Sequence, residues 1–329
     1  MMSSKGLYRQ FCDSEQSLPL FSQSWWLDAV CGEGNWDAAV AVKGGEVFAV
    51  MPYYVKRKYG FKLLHMPPLT SMLGPWIRQV EAKYERQIGY QKEIMTMLIE
   101  QLPAFDSFFQ SWHYRVTNWL PFYWKGFHQS TAYTYVIEGI RDRDRVWNDL
   151  RSEIRTDIRK FRDRFKVDVS HNGDLEDIIR LNRAIFARQG IKVPFDEDVL
   201  RRLDLACQER NCRKILIIQD ERGDPVAGVY VVWDNTSAYY LVGGKNPDRA
   251  GKPGVAVLLW EMILHVSEFV EHFDFEGSML EPVELNFRSF GGRQKEVFTI
   301  SRSNSYLLSA YRDFSSFYRS AALHNHRRA

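Results

Sequence analysis

The chain carries little net charge. Its 44 Lys and Arg against 41 Asp and Glu leave +3, too small an excess for wholesale nucleic-acid binding, although a local basic patch can still hold an anionic ligand. Cysteine is scarce: Cys12, Cys31, Cys207 and Cys212 are all there are. Cys207 and Cys212 are close in sequence, but no His pair sits near them at metal-site spacing, so no metal is expected and the thiols read as reduced, in a cytosolic protein. The N-terminus MMSSKGLYRQFCDSEQ has no apolar signal core, and the longest apolar run, VAVLLW before Glu261, falls far short of the ~20 residues that span a bilayer. The expected location is therefore the cytoplasm, with no transmembrane segment. There is no Walker A loop, no G-x-S-x-G elbow, no H-E-x-x-H and no G-x-G-x-x-G after a strand, which removes the chemistries those motifs carry. Tandem repeats and low-complexity segments are also missing.

What is present is a folded composition. The 329 residues are 45% hydrophobic and 26% charged, a globular balance with length for two ordinary domains. FSQSWWLDAV reads as a short helix with Ser24 placed to cap it. WDAAVAVK and EVFAVMPYYVKR flank Gly44-Gly45, a hairpin signal. HMPPLTSMLGPW is loop or edge structure. Over 83–102, Ile88, Ile94, Met95, Leu98 and Ile99 fall on one side of a helix. An aromatic cluster then occupies 105–138, most simply as core.

Near residue 140 the composition changes, which suggests domains at 1–140 and 141–329. The spacing of Val146, Leu150, Ile154, Ile158 and Phe161 predicts one charged helix over 141–166, followed by a strand, FKVDVS. Ten Lys and Arg against six Asp and Glu give 141–166 a local excess of four positive charges. Two more helices, DLEDIIRLNRAIFAR and DEDVLRRLDLACQER, precede the strands RKILIIQ, AGVYVVWD and SAYYLVGG. A Gly/Pro loop, KNPDRAGKPG, leads into a buried-type helix from Val255 and a strand, HFDFEGS. A loop with Arg288 and Gly291-Gly292, a last strand and a C-terminal helix complete the chain.

One strand, a glycine loop, a helix and a strand in succession make a crossover unit. The free amides at the helix N-terminus suit a phosphate. Lys245, Arg249 and Lys252 add charge, and Gly251 and Gly254 permit close backbone approach. Asp274 and Glu276 are two apart, so on a strand they share a face, with Phe273 and Phe275 on the core side. Acids so placed suit proton acceptance from an attacking amine, while Arg288 suits an anion. Tyr240 is a candidate proton donor to a leaving group. Arg155 and Arg159, on the basic face of the 141–166 helix, suit RNA or an anionic lipid-linked acceptor. Blander readings stand beside each: a structural pair of acids, an ordinary turn capping a helix, and a solvated helix face.

The order hairpin, strand, loop, helix, strand resembles the core of the GNAT acyltransferase superfamily. LRSEIRTDIRKFRDRFKVDV, GDPVAGVYVVWDNTSAYYLVGG and FDFEGSMLEPVELNFRSFGGRQKEV resemble its Fem-type branch, which includes peptidoglycan aminoacyltransferases. FSQSWWLDAV, VMPYYVKRKYG and HMPPLTSMLGPW resemble the N-terminal repeat of Fem-like proteins, so the resemblance covers roughly residues 20–300. It implies an α+β fold of two tandem GNAT-like domains, each a mixed, mostly antiparallel sheet flanked by helices, with the donor cleft in the second. It also implies that the AYYLVGG and HFDFEGS strands splay apart and receive the acyl donor along Val242 and Gly243. The family loop reads Arg/Gln-x-x-Gly-x-Gly/Ala. Here Arg249-Ala250-Gly251-Lys252-Pro253-Gly254 shifts that spacing, and Pro253 removes an amide donor. The donor is thus open between acyl-CoA and aminoacyl-tRNA.

The expected activity is transfer of an acyl or aminoacyl group to an amine, or a hydroxyl, of a cell-envelope or sugar acceptor. The partners would be a small-molecule or lipid-linked sugar or peptide acceptor and, for the tRNA donor, tRNA; peripheral membrane contact fits the same reading. Two other classes stay open: a GNAT-like binding module that has lost turnover, and an RNA-binding protein using the 141–166 helix.

Overall fold

The computed structural model describes residues 3–164, 173–220, 222–248, 254–277, 279 and 281–308. The sequence-expected strand at 165–170 and the C-terminal helix from 309 onward lie outside them. The first elements are α1 (Ser4–Ser14), α2 (Ser24–Cys31), β1 (Trp36–Lys43), β2 (Glu46–Lys58), β3 (Phe61–His65), β4 (Trp76–Ile77), α3 (Tyr84–Glu100), β5 (Ser107–Ser111), α4 (Leu120–Trp124) and β6 (His128–Glu138). There follow α5 (Arg143–Asp149), α6 (Ser152–Arg164), α7 (Leu175–Arg188), α8 (Glu197–Glu209), β7 (Arg213–Gln219), β8 (Pro225–Trp233) and β9 (Ser237–Lys245). The last are α9 (Val255–Val266), β10 (His272–Asp274), α10 (Glu281–Ser289) and β11 (Arg293–Ser303).

The described residues form two compact units built from interleaved segments. Unit 1 takes those of Met1–Ser14, Cys31–Thr131 and Phe298–Ala329; unit 2 takes those of Glu15–Val30 and Ala132–Val297. In unit 1, β1 and β2 make the hairpin expected around Gly44-Gly45, with Lys43 opposite Glu46. β3 pairs antiparallel with β2, and β5 runs parallel to β3 and antiparallel to the end of β11. Ala39, Ala41, Met51, Leu64, Phe108 and Ile300 meet Ile94, Met95 and Leu98 of α3 in its core. The aromatic stretch from 105 contributes Phe108, Trp112, Phe122 and Phe127 to that core.

In unit 2 the strand order is β6-β10-β9-β8-β7. β10 runs parallel to β9 and antiparallel to β6; β7, β8 and β9 are antiparallel neighbours. Alternation places two helical layers on this sheet. Leu216, Ile218, Ala227 and Val229 pack with Val257, Leu258 and Met262 of α9. Ile217 and Gly228, one residue out of phase, sit against Ile178 and Leu181 of α7. Val146, Leu150, Ile158 and Phe161 join the α9 side, as their spacing predicts. Residues 15–30 belong here because Asp234 accepts the Leu20 amide (3.2 Å) and the Tyr239 hydroxyl (3.1 Å), and Phe21 packs edge-on to Tyr239.

Two expectations are corrected. The helix expected over 141–166 is broken: Leu150 is extended (φ −63°, ψ 139°), and the Arg151 amide donates to Ser289 O at 2.9 Å. Arg155 then donates to the Asn148 and Leu150 carbonyls, each at 2.8 Å, satisfying the end of α5. The loop expected to hold Arg288 is helix α10, with Arg288 in its last turn. The chain turns only after it, at Gly291 (φ +80°).

Candidate functional site

The site begins where β9 leaves β10. The two pair through Ser237–His272, Ala238–Phe273 and Tyr239–Asp274, and no further among the described residues. Tyr240 onward is paired on the β8 side alone. A bulge separates the Tyr239 and Tyr240 pairs from the rest: Val231 opposes Tyr240 and Tyr230 opposes Val242, leaving Leu241 as the extra residue. Bulges bend a strand and sharpen its twist, and this one falls where the strands part. The result is an open backbone edge over Tyr240–Lys245 in the middle of a sheet.

Gly243 lies on that edge, and only glycine fits. A Cβ there would come within 2.5 Å of Gly228 O and 2.7 Å of Tyr240 Oη. Tyr240 therefore folds its ring back over the strand and packs edge-on to Phe287 of α10 (centroids 6.5 Å). Phe287 in turn stacks on Phe275 (5.0 Å, 19°). Burial pushes the Tyr240 phenol well above its ordinary range, so it keeps its proton at neutral pH. Val242 is buried, and Lys245 closes the strand half-buried.

Asp274 ends β10 with no exposed surface. Its Oδ1 accepts Thr134 Oγ1 (2.5 Å) and the Glu276 amide (2.8 Å). Its Oδ2 is buried with no hydrogen-bond partner among the described residues. Burial pushes the carboxyl up to about 6, opposed by those two hydrogen bonds. Asp274 and Glu276 do not share a strand face as the alternation suggests. The strand stops at Asp274, and Glu276 takes a left-handed backbone (φ +59°). Phe273 and Phe275 are both core, as expected. Gly277 follows at φ +66°, and a Cβ there would run into Tyr133 O and Thr134 Cα. The acids and β6 are thus locked together. The sequence alone does not single out Thr134: it lies 140 residues from Asp274, and its one signal is the strand alternation of TAYTYVIE.

The other candidates lie as follows. Gly254 is the N-cap of α9, packed on Ala227; Arg249 and Gly251 lie outside the described residues. Beside the end of β9 is a cavity of about 190 Å³ lined by Arg180, Leu181, Ala184, Asp224, Pro225 and Asn246. Arg288 is 63% exposed and pairs with Glu284 (3.0 Å), which accepts the Tyr135 hydroxyl (2.9 Å). Arg155 is engaged with α5, and Arg159 stacks over Trp147 of the same helix (5.4 Å). Neither joins the β9–β10 opening through a described contact.

A sheet that opens at a bulged strand, with a helix crossing over to the next strand, matches a known pattern. Residues 148–279 match the family model described as an acetyltransferase (GNAT) domain. The chain carries a GNAT domain. The match ends just beyond Asp274 and Glu276, so the opening belongs to the GNAT segment. Among solved structures the chain is similar in fold to FemX (11% identity, 91% of this chain and 96% of that chain, TM-score 0.65). It is also similar to a conserved protein of unknown function from Bacteroides thetaiotaomicron (11% identity, 91% and 97% covered, TM-score 0.56). At such identities the likeness is one of fold. It agrees with the α+β architecture, mixed and mostly antiparallel, that the sequence implies. No curated protein matches the chain by sequence. No helix among the described residues is long and apolar enough to cross a membrane.

Proposed function

We propose that this protein is an N-acyltransferase. It moves an activated acyl or aminoacyl group onto an amine, or a hydroxyl, of a cell-envelope or sugar acceptor in the cytoplasm. The reading rests on the parting of β9 from β10 beyond Tyr239 and Asp274. In this proposal the 141–329 half is the GNAT-like domain with the donor cleft, and the 1–140 half is a second GNAT-like domain. The donor, acyl-CoA or aminoacyl-tRNA, lies along the open Tyr240–Lys245 edge as an added strand would. Its anionic end is held by Lys245, Arg249 and the backbone at Gly251 and Gly254. Val242 and Gly243 line its path, and strand amides polarise its carbonyl.

The acceptor nitrogen attacks that carbonyl. A C–N bond forms, and the bond to the thiolate or ribose oxygen breaks. Glu276, half-buried two residues past the end of β10, takes the amine proton directly or through water. Asp274 is fully buried and positions Glu276 through its backbone amide. Tyr240, still protonated at neutral pH, supplies the leaving group's proton. Arg288, beside Phe287, is the cation for an anionic acceptor, while Arg155 and Arg159 serve mainly to hold α5.

The test is donor binding followed by turnover. The protein is titrated with acetyl-CoA, longer acyl-CoAs and charged tRNA, and the donor that binds is then offered amine acceptors. Glu276→Gln is expected to lower turnover by about 10²-fold with donor affinity retained; unchanged turnover removes Glu276 from the proton-accepting role. Donor binding with no product from any acceptor favours the binding-module reading.

A further inference from the structure

Unit 1 ends in a surface with aromatic rings in solvent and basic side chains around them. The β2–β3 hairpin turns through Tyr59 (φ +52°) and Gly60 (φ +82°). The first position of such a turn ordinarily takes Asn, Asp or Gly. Here it holds a tyrosine 88% exposed, its ring met by Lys58 Nζ at 5.1 Å. A bulky residue in this backbone region is an outlier, and packing within the unit does not explain it. Lys56, Arg57 and Lys58 are exposed on the same tip and have no ion-pair partner among the described residues.

A chain of hydrogen bonds ties this tip to a second aromatic projection. Lys62 and Asp106 exchange bonds: Lys62 N–H donates to Asp106 Oδ2 (2.8 Å), and Asp106 N–H to Lys62 O (2.9 Å). Asn304 N–H donates to Asp106 O (2.8 Å), Arg302 Nε to Asn304 Oδ1 (3.0 Å), and Arg302 Nη1 to Lys125 O (2.6 Å). Lys125 directly follows the one-turn helix α4, which leaves Leu120 (46%), Tyr123 (58%) and Trp124 (55%) exposed while Phe122 fills the core. Lys92 Nζ lies 5.1 Å from the Trp124 ring. The carboxylates at this end are engaged: Asp106 by the Lys62 amide, Glu100 by Lys125 (3.3 Å).

We infer that this end of unit 1 docks onto an anionic phospholipid bilayer, with Tyr59, Tyr123 and Trp124 at headgroup depth and the surrounding Lys and Arg against lipid phosphates. Tyr and Trp favour that depth because one end of each ring is apolar and the other polar. Each basic side chain near an anionic surface strengthens binding roughly fivefold. The rings stand on two separate projections rather than in a continuous stacking strip, which suits a planar surface better than a nucleic-acid strand. The site concerns attachment only and needs no donor, so it stands or falls independently of acyl transfer.

The experiment is co-sedimentation of the full chain with phosphatidylcholine vesicles, with and without phosphatidylglycerol. Binding is expected to the phosphatidylglycerol vesicles and to weaken with salt. Arg57→Glu with Lys58→Glu should lower affinity more than about tenfold. Tyr59→Ser with Trp124→Ser should lower it at high salt as well. Tyr84→Ser, at an exposed ring elsewhere in unit 1, should change nothing. Circular dichroism and melting temperature should match wild type throughout, because the altered side chains are largely exposed. Equal binding to both vesicle types, or unchanged binding by the charge and ring variants, would overturn the inference. So would tRNA binding, abolished by the same substitutions, that exceeds vesicle binding.

Discussion

Asp274 gives the most direct quantitative test of the site. Its carboxyl is enclosed between β6 and β10, with Thr134 Oγ1 and the Glu276 amide on one oxygen and no hydrogen-bond partner among the described residues on the other. Burial raises it from 3.8 to about 6. At about 1.4 kcal/mol per pH unit, that difference corresponds to about 3 kcal/mol. The unfolded chain releases this proton near 3.8, whereas the folded chain holds it until about 6. Folding therefore binds a proton in this window, and the contribution to stability falls as pH rises through it. Above about pH 6 the full penalty is present. Asp274→Asn keeps an acceptor oxygen for Thr134 and Glu276 and cannot ionise. Its unpaired amide costs about 1–3 kcal/mol, but by the same amount at every pH. The stability of Asp274→Asn minus that of wild type should thus rise by about 2.4 kcal/mol between pH 4 and pH 7, most of the full span. Urea unfolding of both proteins, followed by tryptophan fluorescence at steps across that range, measures the difference, and the other titrating groups cancel. A difference that stays flat would refute the reasoning: the carboxyl would then be hydrated or paired in solution.

Gly277→Ala should destabilise unit 2 by more than about 2 kcal/mol, because a Cβ at φ +66° meets the β6 backbone; chemical denaturation against wild type checks this. Arg155→Ala leaves the Asn148 and Leu150 carbonyls without their donor and should cost about 1–2 kcal/mol, with faster amide exchange at the α5–α6 junction. His113, buried beside Arg115, is pushed down to about 3 and accepts the Arg115 amide at 3.2 Å. Its ring resonances should not titrate between about pH 8 and pH 5, and its contribution to stability should fall as pH drops below 6.5, where the unfolded imidazole gains a proton.

Local chemistry made much of the fold legible. Gly44-Gly45 marks the first hairpin, and Asp174 and Asp196 cap α7 and α8 through their side chains. The near-continuous apolar runs in RKILIIQ and AGVYVVWD are those of strands covered on both faces. The break between α5 and α6 was not legible, because Leu150 keeps its place on the apolar seam and no glycine or proline marks the turn. Two partners hold it open: the Ser289 carbonyl, far off in sequence, and Arg155 in the next helix. Helix α10 carried a signal that the nearby Gly291-Gly292 outweighed, a proline one residue after Glu281 and a glycine beyond the last turn. At the site, the residue types were legible and their geometry was not. Alternation places Asp274 and Glu276 side by side, but the positive φ of Glu276 ends that logic one residue past the strand. The bulge at Leu241 follows from pairing with β8, which no single strand reveals.

The contact between Thr134 and Asp274 also bears on how the protein is made. The two residues are 140 positions apart, and ribosomes add about 5–20 residues per second, so β6 emerges roughly 7–28 s before β10 exists to pair with it. During that interval Val136 and its neighbours present an unpaired strand edge, the kind of surface that aggregates or recruits chaperones. The GNAT segment at 148–279 cannot complete its own sheet either, because β6 lies upstream of it. An expressed fragment beginning at 141 would leave the Asp274 side of β10 bare. The GNAT-matching segment therefore inherits a dependence on residues made long before it, and its yield in the cell should respond to translation speed and chaperone supply as much as to its own stability.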